Sequence, residues 1–127
     1  MGHSAPQVLI ELAELSARCL NQPKLVSTVL HAFSESLRRN AQTLTDAQRA
    51  GDLAAVAQWA HTIKGSALNV AAKPLATVVT DLELAARNGD AKRSAELSDA
   101  FTQLVQPTLD AAAAMLQAAT PPINTAA

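Results

Sequence analysis

One cysteine, Cys19, in a chain of 127 residues cannot build a disulfide framework, and a reducing cytoplasm is the natural setting for such usage. Tyrosine is absent and the aromatics are only Phe33, Phe101 and Trp59; threonine-rich runs are missing too, so little favours strands. No apolar run approaches the roughly 20 residues of a membrane span. The N-terminus lacks the basic start and apolar stretch of a signal peptide. The net charge is −1 and there is no basic block, which argues against nucleic acid as a partner. No His or Cys pairs stand at metal-ligand spacing, so a zinc or haem site is not expected. No nucleophile elbow supports a Ser-His-Asp hydrolase. No glycine-rich nucleotide loop is present, so ATP binding and self-sufficient kinase activity are not expected.

What the chain does have is alanine, and an apolar share of 49%. That suits one domain of helices packed closely through small side chains. Punctuation divides it into five helical segments. Ser4 can cap a first helix, with Pro6 in its first turn and Val8, Leu9, Leu12 and Leu15 on one face; it ends near Leu20. Asn21 and Pro23 open a second helix reaching Ala50, with Val26, Val29, Leu30, Phe33, Leu37, Ala41 and Leu44 inward, and Gly51 stops it. Asp52 caps a third running to about Val70. Lys73-Pro74 starts a fourth, with Leu75, Val78, Val79, Leu82 and Ala86 inward. Asn88-Gly89 ends it and Asp90 caps a fifth, with Leu97, Phe101, Leu104, Val105, Leu109, Ala112 and Leu116 inward.

Pro107 should kink or split that last helix. Linkers of about two to four residues make neighbouring helices antiparallel. The fold expected is all-α: an antiparallel up-down four-helix bundle with a short extra N-terminal helix. It occupies 6–119, between a disordered or tag-like start at 1–5 and a flexible tail at 120–127.

Within the third helix, the stretch WAHTIKGSALNV, Trp59 to Val70, carries a glycine where alanine would be better by about 1 kcal/mol. On a helical wheel Val56, Trp59, Ile63, Ala67 and Val70 fall within roughly 60° of the pole opposite His61. They form the core stripe. The histidine face carries Ala54, Ala57, Gln58, Lys64, Gly65, Leu68 and Ala72, which aims His61 at solvent. A solvated surface would not choose glycine one turn from an imidazole. The vacancy clears room for a bulky visitor, and Lys64 brings a cation to the same place. A nucleophilic nitrogen, a cation and a vacancy together suit an incoming phosphoryl group. Leu68 makes sense in a docking patch. His31 lies opposite the Val29-Phe33-Leu37 stripe and reads as a solvated face residue, Ser66 rotates toward the core, and Cys19 packs rather than reacts.

The segment His61-Thr62-Ile63-Lys64-Gly65-Ser66-Ala67 resembles the H-x-x-K-G-S/A signature of histidine-containing phosphotransfer domains. Several other features fall where that family places comparable ones: Phe33 in the long helix, Gly51-Asp52, Pro74-Leu75, Leu82-Glu83 and the Asn88-Gly89-Asp90 turn. The likeness spans roughly Val8 to Leu116. It implies a monomeric helical bundle in which His61 is phosphorylated, usually on Nε2, by a receiver-domain aspartate and passes the group to another receiver. Lys64 would help hold the phosphoryl oxygens and Gly65 would give clearance. Attack needs a neutral ring nitrogen, and exposed imidazoles are largely neutral at pH 7.

Such a protein is a phosphohistidine carrier without autonomous ATP-dependent kinase activity. It needs no cofactor of its own, Mg²⁺ being supplied by the receiver. Partner contacts are expected at Ala57, Gln58, Leu68 and Ala72, with help from the first helix. Two departures stand out. Ala71 occupies a position, ten residues after the histidine, where the family often has glycine. Glu83 stands where some members place a glutamine, and because a carboxylate would repel phosphate it receives no binding role. The reading from another class is a helical adaptor or receiver-docking bundle without phosphoryl transfer.

Overall fold

The computed structural model describes residues 7–119. The expectations placed on 1–5 and 120–127, and on Ser4 and Pro6, lie outside the described residues. Those residues form five helices: α1 Leu12–Arg18, α2 Pro23–Arg49, α3 Leu53–Asn69, α4 Lys73–Arg87 and α5 Ala91–Ala119. No strand occurs among them. No described helix is long and apolar enough to cross a membrane.

All four joins between helices use one device. After the last helical turn a residue in left-handed conformation lets two backbone N–H groups turn back onto orphan carbonyls. After α2, Gly51 N–H bonds Gln48 O at 3.1 Å and Asp52 N–H bonds Ala47 O at 3.0 Å. After α4, Gly89 and Asp90 repeat the pattern on Ala86 and Ala85. These are glycines at φ +71° and +72°, where the missing Cβ removes the steric cost. The other two joins place Leu20 (φ +56°) and Ala71 (φ +57°) in the same role. Ala71 N–H bonds Leu68 O at 3.2 Å and Ala72 N–H bonds Ala67 O at 2.8 Å. The following helices are then capped where an aspartate is available: Asp52 Oδ1 accepts from Ala55 N–H and Asp90 Oδ1 from Arg93 N–H, both at 3.0 Å.

Helix α2 packs on α3 and α5, and α4 packs on the same two, so each long helix touches two others, while α1 rests on α2. The core takes Leu30, Phe33, Leu37 and Leu44 from α2, Val56 and Ile63 from α3, Leu75, Val79 and Leu82 from α4, and Leu97, Phe101 and Leu109 from α5. Fully burying such a side chain contributes about 1.5–3 kcal/mol. The buried residues of α3 and α4 include Ala57, Ala60, Ala67, Ala76, Ala85 and Ala86. Small side chains let two helices approach closely; this brings polar groups of α3 and α4 within reach of each other.

Three sequence expectations change. The first helix begins at Leu12 rather than near Pro6, after a segment whose Glu11 N–H donates to Ala71 O at 3.0 Å. Its one buried residue is Leu15, flanked by buried Ile10 before the helix and Cys19 at its C-cap, whereas Val8 and Leu12 are exposed. Asn21 does not open α2; it is itself left-handed, and Pro23 starts the helix after an uncapped Gln22. Helix α5 is not split at Pro107 but continues through it. The carbonyl that Pro107 cannot serve belongs to Gln103, and both residues face solvent, where water can satisfy it.

Candidate functional site

His61 stands midway along α3 with 62% of its side chain exposed. The stripe opposite it is buried at Val56, Ile63, Ala67 and Val70, with Trp59 partly so. The wheel therefore has His61 and the core stripe on the right sides of the helix. Gly65 lies one turn on, helical and exposed. A Cβ built there meets nothing within 4 Å. Neither backbone conformation nor packing within the chain demands glycine, and the space beside the ring is open.

Glu83 organises the polar groups around the ring. It projects from α4 toward α3 with only 10% of its side chain exposed. His61 Nδ1 lies 3.1 Å from Oε2 and Lys64 Nζ donates to Oε1 at 3.0 Å. Arg87, one turn further along α4, donates to Oε2 through Nε at 3.0 Å and Nη2 at 2.7 Å. Burial alone would push the Glu83 carboxyl up, but the hydrogen bonds from Lys64 and Arg87, with the charges of Lys64 and His61, outweigh it and hold the group below the usual carboxylate range. A carboxylate only accepts, so the imidazole nitrogen facing it carries the proton. In the neutral ring the lone pair is then on Nε2, away from Glu83. A buried acid thus selects the tautomer and orientation of an exposed nucleophile.

The Hpt domain model matches residues 28–119, well over half of the chain. The chain belongs to the Hpt domain family. It is a histidine phosphotransfer protein of a phosphorelay. Its structure is similar to the crystal structure of histidine-containing phosphotransfer protein B (HptB) from Pseudomonas aeruginosa PAO1, with a TM-score of 0.80 and 24% identity over 91% of this chain and 98% of that one. At that identity the likeness speaks to the fold. No curated protein matches the chain.

In this Hpt domain an open concavity of about 670 Å³ lies against the His61 ring, walled by Ala54, Ala57, Gln58 and Thr62 of α3 and Ala86 and Arg87 of α4. Of the four positions expected to meet a partner, Gln58 and Leu68 are exposed. Ala57 is nearly buried and contributes to the concavity wall. Ala72 is fully buried, because the chain turns at Ala71 and Ala72 becomes the N-cap of α4; it presents no surface for docking. Lys64 is 27% exposed and bonded to Glu83 rather than standing free. His31 is exposed, and no described residue hydrogen-bonds its ring. Cys19 is buried and Ser66 half-buried.

Sequence reasoning gave Glu83 no binding role and did not consider Arg87. The signal was present: Glu83 falls on the inward face of α4, four residues after Val79 and beside Leu82 and Ala86. A charged residue is almost never buried there unless paired. The objection that a carboxylate repels phosphate also changes, since Glu83 (−1) is matched by Lys64 (+1) and exceeded once Arg87 (+1) is counted.

Proposed function

We propose that His61 carries the phosphoryl group, accepting it on Nε2 from a receiver-domain aspartate and passing it to another receiver. The observation that carries this reading is the Glu83 contact at Nδ1, which leaves Nε2 as the basic nitrogen of a ring that is 62% exposed. As Nε2 attacks, an N–P bond forms, the P–O bond to the receiver's carboxylate breaks, and the carboxylate leaves. Positive charge develops on the ring and spreads to Nδ1–H, where Glu83 stabilises it. The same contact serves the return step, because a ring that keeps its Nδ1 proton is the better leaving group. Lys64 neutralises Glu83 and is near enough to meet phosphoryl oxygens, while Gly65 leaves room for the receiver's aspartate.

The short turns and the packing of α2 to α5 support the up-down antiparallel four-helix arrangement, with the phosphoryl site on the α3–α4 face. The docking surface would include Gln58 and Leu68 with the rim at Ala57. A helix-face patch of this kind suits transient association of a monomer with receiver domains in the cytoplasm. Mg²⁺ would be held by the receiver, and the chain would have no ATP-dependent kinase activity of its own. The name of HptB, a histidine-containing phosphotransfer protein, is in keeping with this role.

The test is incubation with a phosphorylated receiver. Acid-labile, alkali-stable label should appear on the wild type and on His31→Gln, and disappear in His61→Gln. Folded wild type that stays unlabelled across a panel of receivers would favour the adaptor reading.

A further inference from the structure

The space around the His61 ring has two parts. Gly65 clears one, a turn further along α3. The other is the concavity of about 670 Å³, whose wall runs back along α3 from the ring and across to the end of α4, with Gly65 outside it. Room for the receiver's aspartate accounts for the first and leaves the second unexplained. Ala54, Ala57 and Ala86 form the apolar part of that wall. The polar groups beside them are engaged within the chain: Thr62 Oγ donates to Gln58 O at 3.2 Å, and Arg87 is held on Glu83. Gln58 adds an exposed side-chain amide, able both to donate and to accept. Transfer needs the reacting atoms about 3–3.5 Å apart. Because the ring is itself part of the wall, a receiver close enough to react overlies the mouth of the concavity. Left unfilled, the concavity would keep water beside an acyl phosphate, which water hydrolyses. A partner side chain entering it expels that water and covers the alanine methyls.

We infer that the concavity is a docking hole for an aliphatic side chain that the receiver carries next to its phosphorylated aspartate. The methyls of Ala54, Ala57 and Ala86 meet that side chain, and the Gln58 amide meets the backbone that bears it. The inference rests on the relay reading of His61 and deepens it: small residues at these three positions select among receivers by the shape of one residue. No covalent step is added.

A bump-and-hole experiment tests this, in a His3→Gln, His31→Gln background so that label reports His61. Ala54 is exposed and helical, so leucine there fills the hole from its outer wall and suits the helix. Transfer from a phosphorylated receiver to Ala54→Leu should lose at least about tenfold in kcat/KM, mainly through KM. Ala95→Leu, at an exposed position of α5, should transfer like wild type. Phosphoramidate, which needs no docking, should label His61 equally in all three. Each aliphatic residue flanking the receiver's aspartate is then cut to alanine in turn. One trimmed receiver should be slow on wild type and recover on Ala54→Leu, a coupling that general crowding or misfolding does not produce. Undiminished transfer to Ala54→Leu, or no trimmed receiver that recovers on it, would overturn the inference while leaving the relay intact. A wild type that phosphoramidate labels and no receiver does would remove the relay reading, and the docking hole with it.

Discussion

Glu83 and Glu14 each gather cations from more than one place in the sequence, and each ties a neighbouring helix to α4. Glu83 lies between the middle of α3 and the C-terminal part of α4, is 10% exposed, and takes Lys64, Arg87 and His61. Glu14 lies where α1 meets the start of α4, is 37% exposed, and takes Arg18 of its own helix and Lys73. Both carboxyls sit below the ordinary value. For Glu14 the hydrogen bond from Lys73 leads, ahead of the burial that opposes it. For Glu83 burial is the largest single influence and opposes the rest. The exposed node is a surface pair of small energetic weight. The enclosed one holds its partners in one geometry and contains the only ring among these groups. Similar chemistry therefore fastens in one place and positions a nucleophile in the other.

The strongest way to break that contrast is Glu83→Ala against Glu14→Ala. A hydrogen bond to a charged group contributes about 1.5–3 kcal/mol; if it is used fully in the transition state, its loss slows phosphotransfer roughly 10- to 100-fold. Glu83→Ala should show that loss and also cost about 1–2 kcal/mol of stability, less than a fully buried pair because Lys64 and Arg87 can reach water. Glu83→Gln keeps an acceptor for Nδ1 and should fall between. Glu14→Ala should leave the transfer rate unchanged. Equal rates for Glu83→Ala and wild type in a stopped-flow transfer assay would reduce Glu83 to a second fastener.

Gly65 separates function from stability at the functional node. A side chain there meets nothing within the chain, and leucine suits a helix interior better by about 1 kcal/mol. Gly65→Leu should thus melt no lower than wild type, with its helical circular dichroism intact, while transfer from a receiver drops at least about tenfold. Undiminished transfer would contradict clearance as the reason for glycine; lost helicity would contradict the open space.

Acid sharpens the comparison further. The unfolded chain titrates each glutamate near 4.5, and both folded values are lower. Between the two values the unfolded state binds more protons, so stability is fully present above about 4.5 and is lost as pH falls toward the folded values. Denaturant titrations across this window should give a shallower pH slope for either Glu→Gln variant. Salt should discriminate them: screening weakens the exposed Glu14 pairs first. Equal salt sensitivity of the two contributions would erase the distinction drawn from burial.

Much of this was legible before any coordinates. Gly51 and Gly89 announced two of the turns because only glycine is at ease with positive φ. Asp52 and Asp90 announced the caps, and the apolar spacing of α3 aimed His61 outward. The illegible parts depend on through-space partners. Lys64 looked free because Glu83 is 19 residues away. Ala72 looked exposed because the wheel was carried past Asn69, where α3 ends, and through the left-handed Ala71. Pro107 looked disruptive because its effect depends on whether the orphan carbonyl faces core or water.

Ala71 gives the smallest effect and belongs to the Glu14 side, since its carbonyl receives Glu11 N–H. An L-residue in the left-handed region is disfavoured by about 1–2 kcal/mol. Ala71→Gly removes that strain. It also removes a buried methyl worth about 0.8 kcal/mol and loosens the unfolded chain by about 0.4–1 kcal/mol. The terms nearly cancel, so the variant should lie within about 1 kcal/mol of wild type. Gly89→Ala provides the calibration: φ is +72° and a Cβ meets nothing within 4 Å, so its measured cost is strain offset only by the unfolded-chain term. The two substitutions run in opposite directions through the same backbone conformation. Adding their stability changes cancels strain and chain entropy and leaves the buried methyl of Ala71. A sum well above about 1 kcal/mol of net loss would mean that the Ala71 turn holds α1 in place through its packing, and that the Glu14 node is more than a surface fastening.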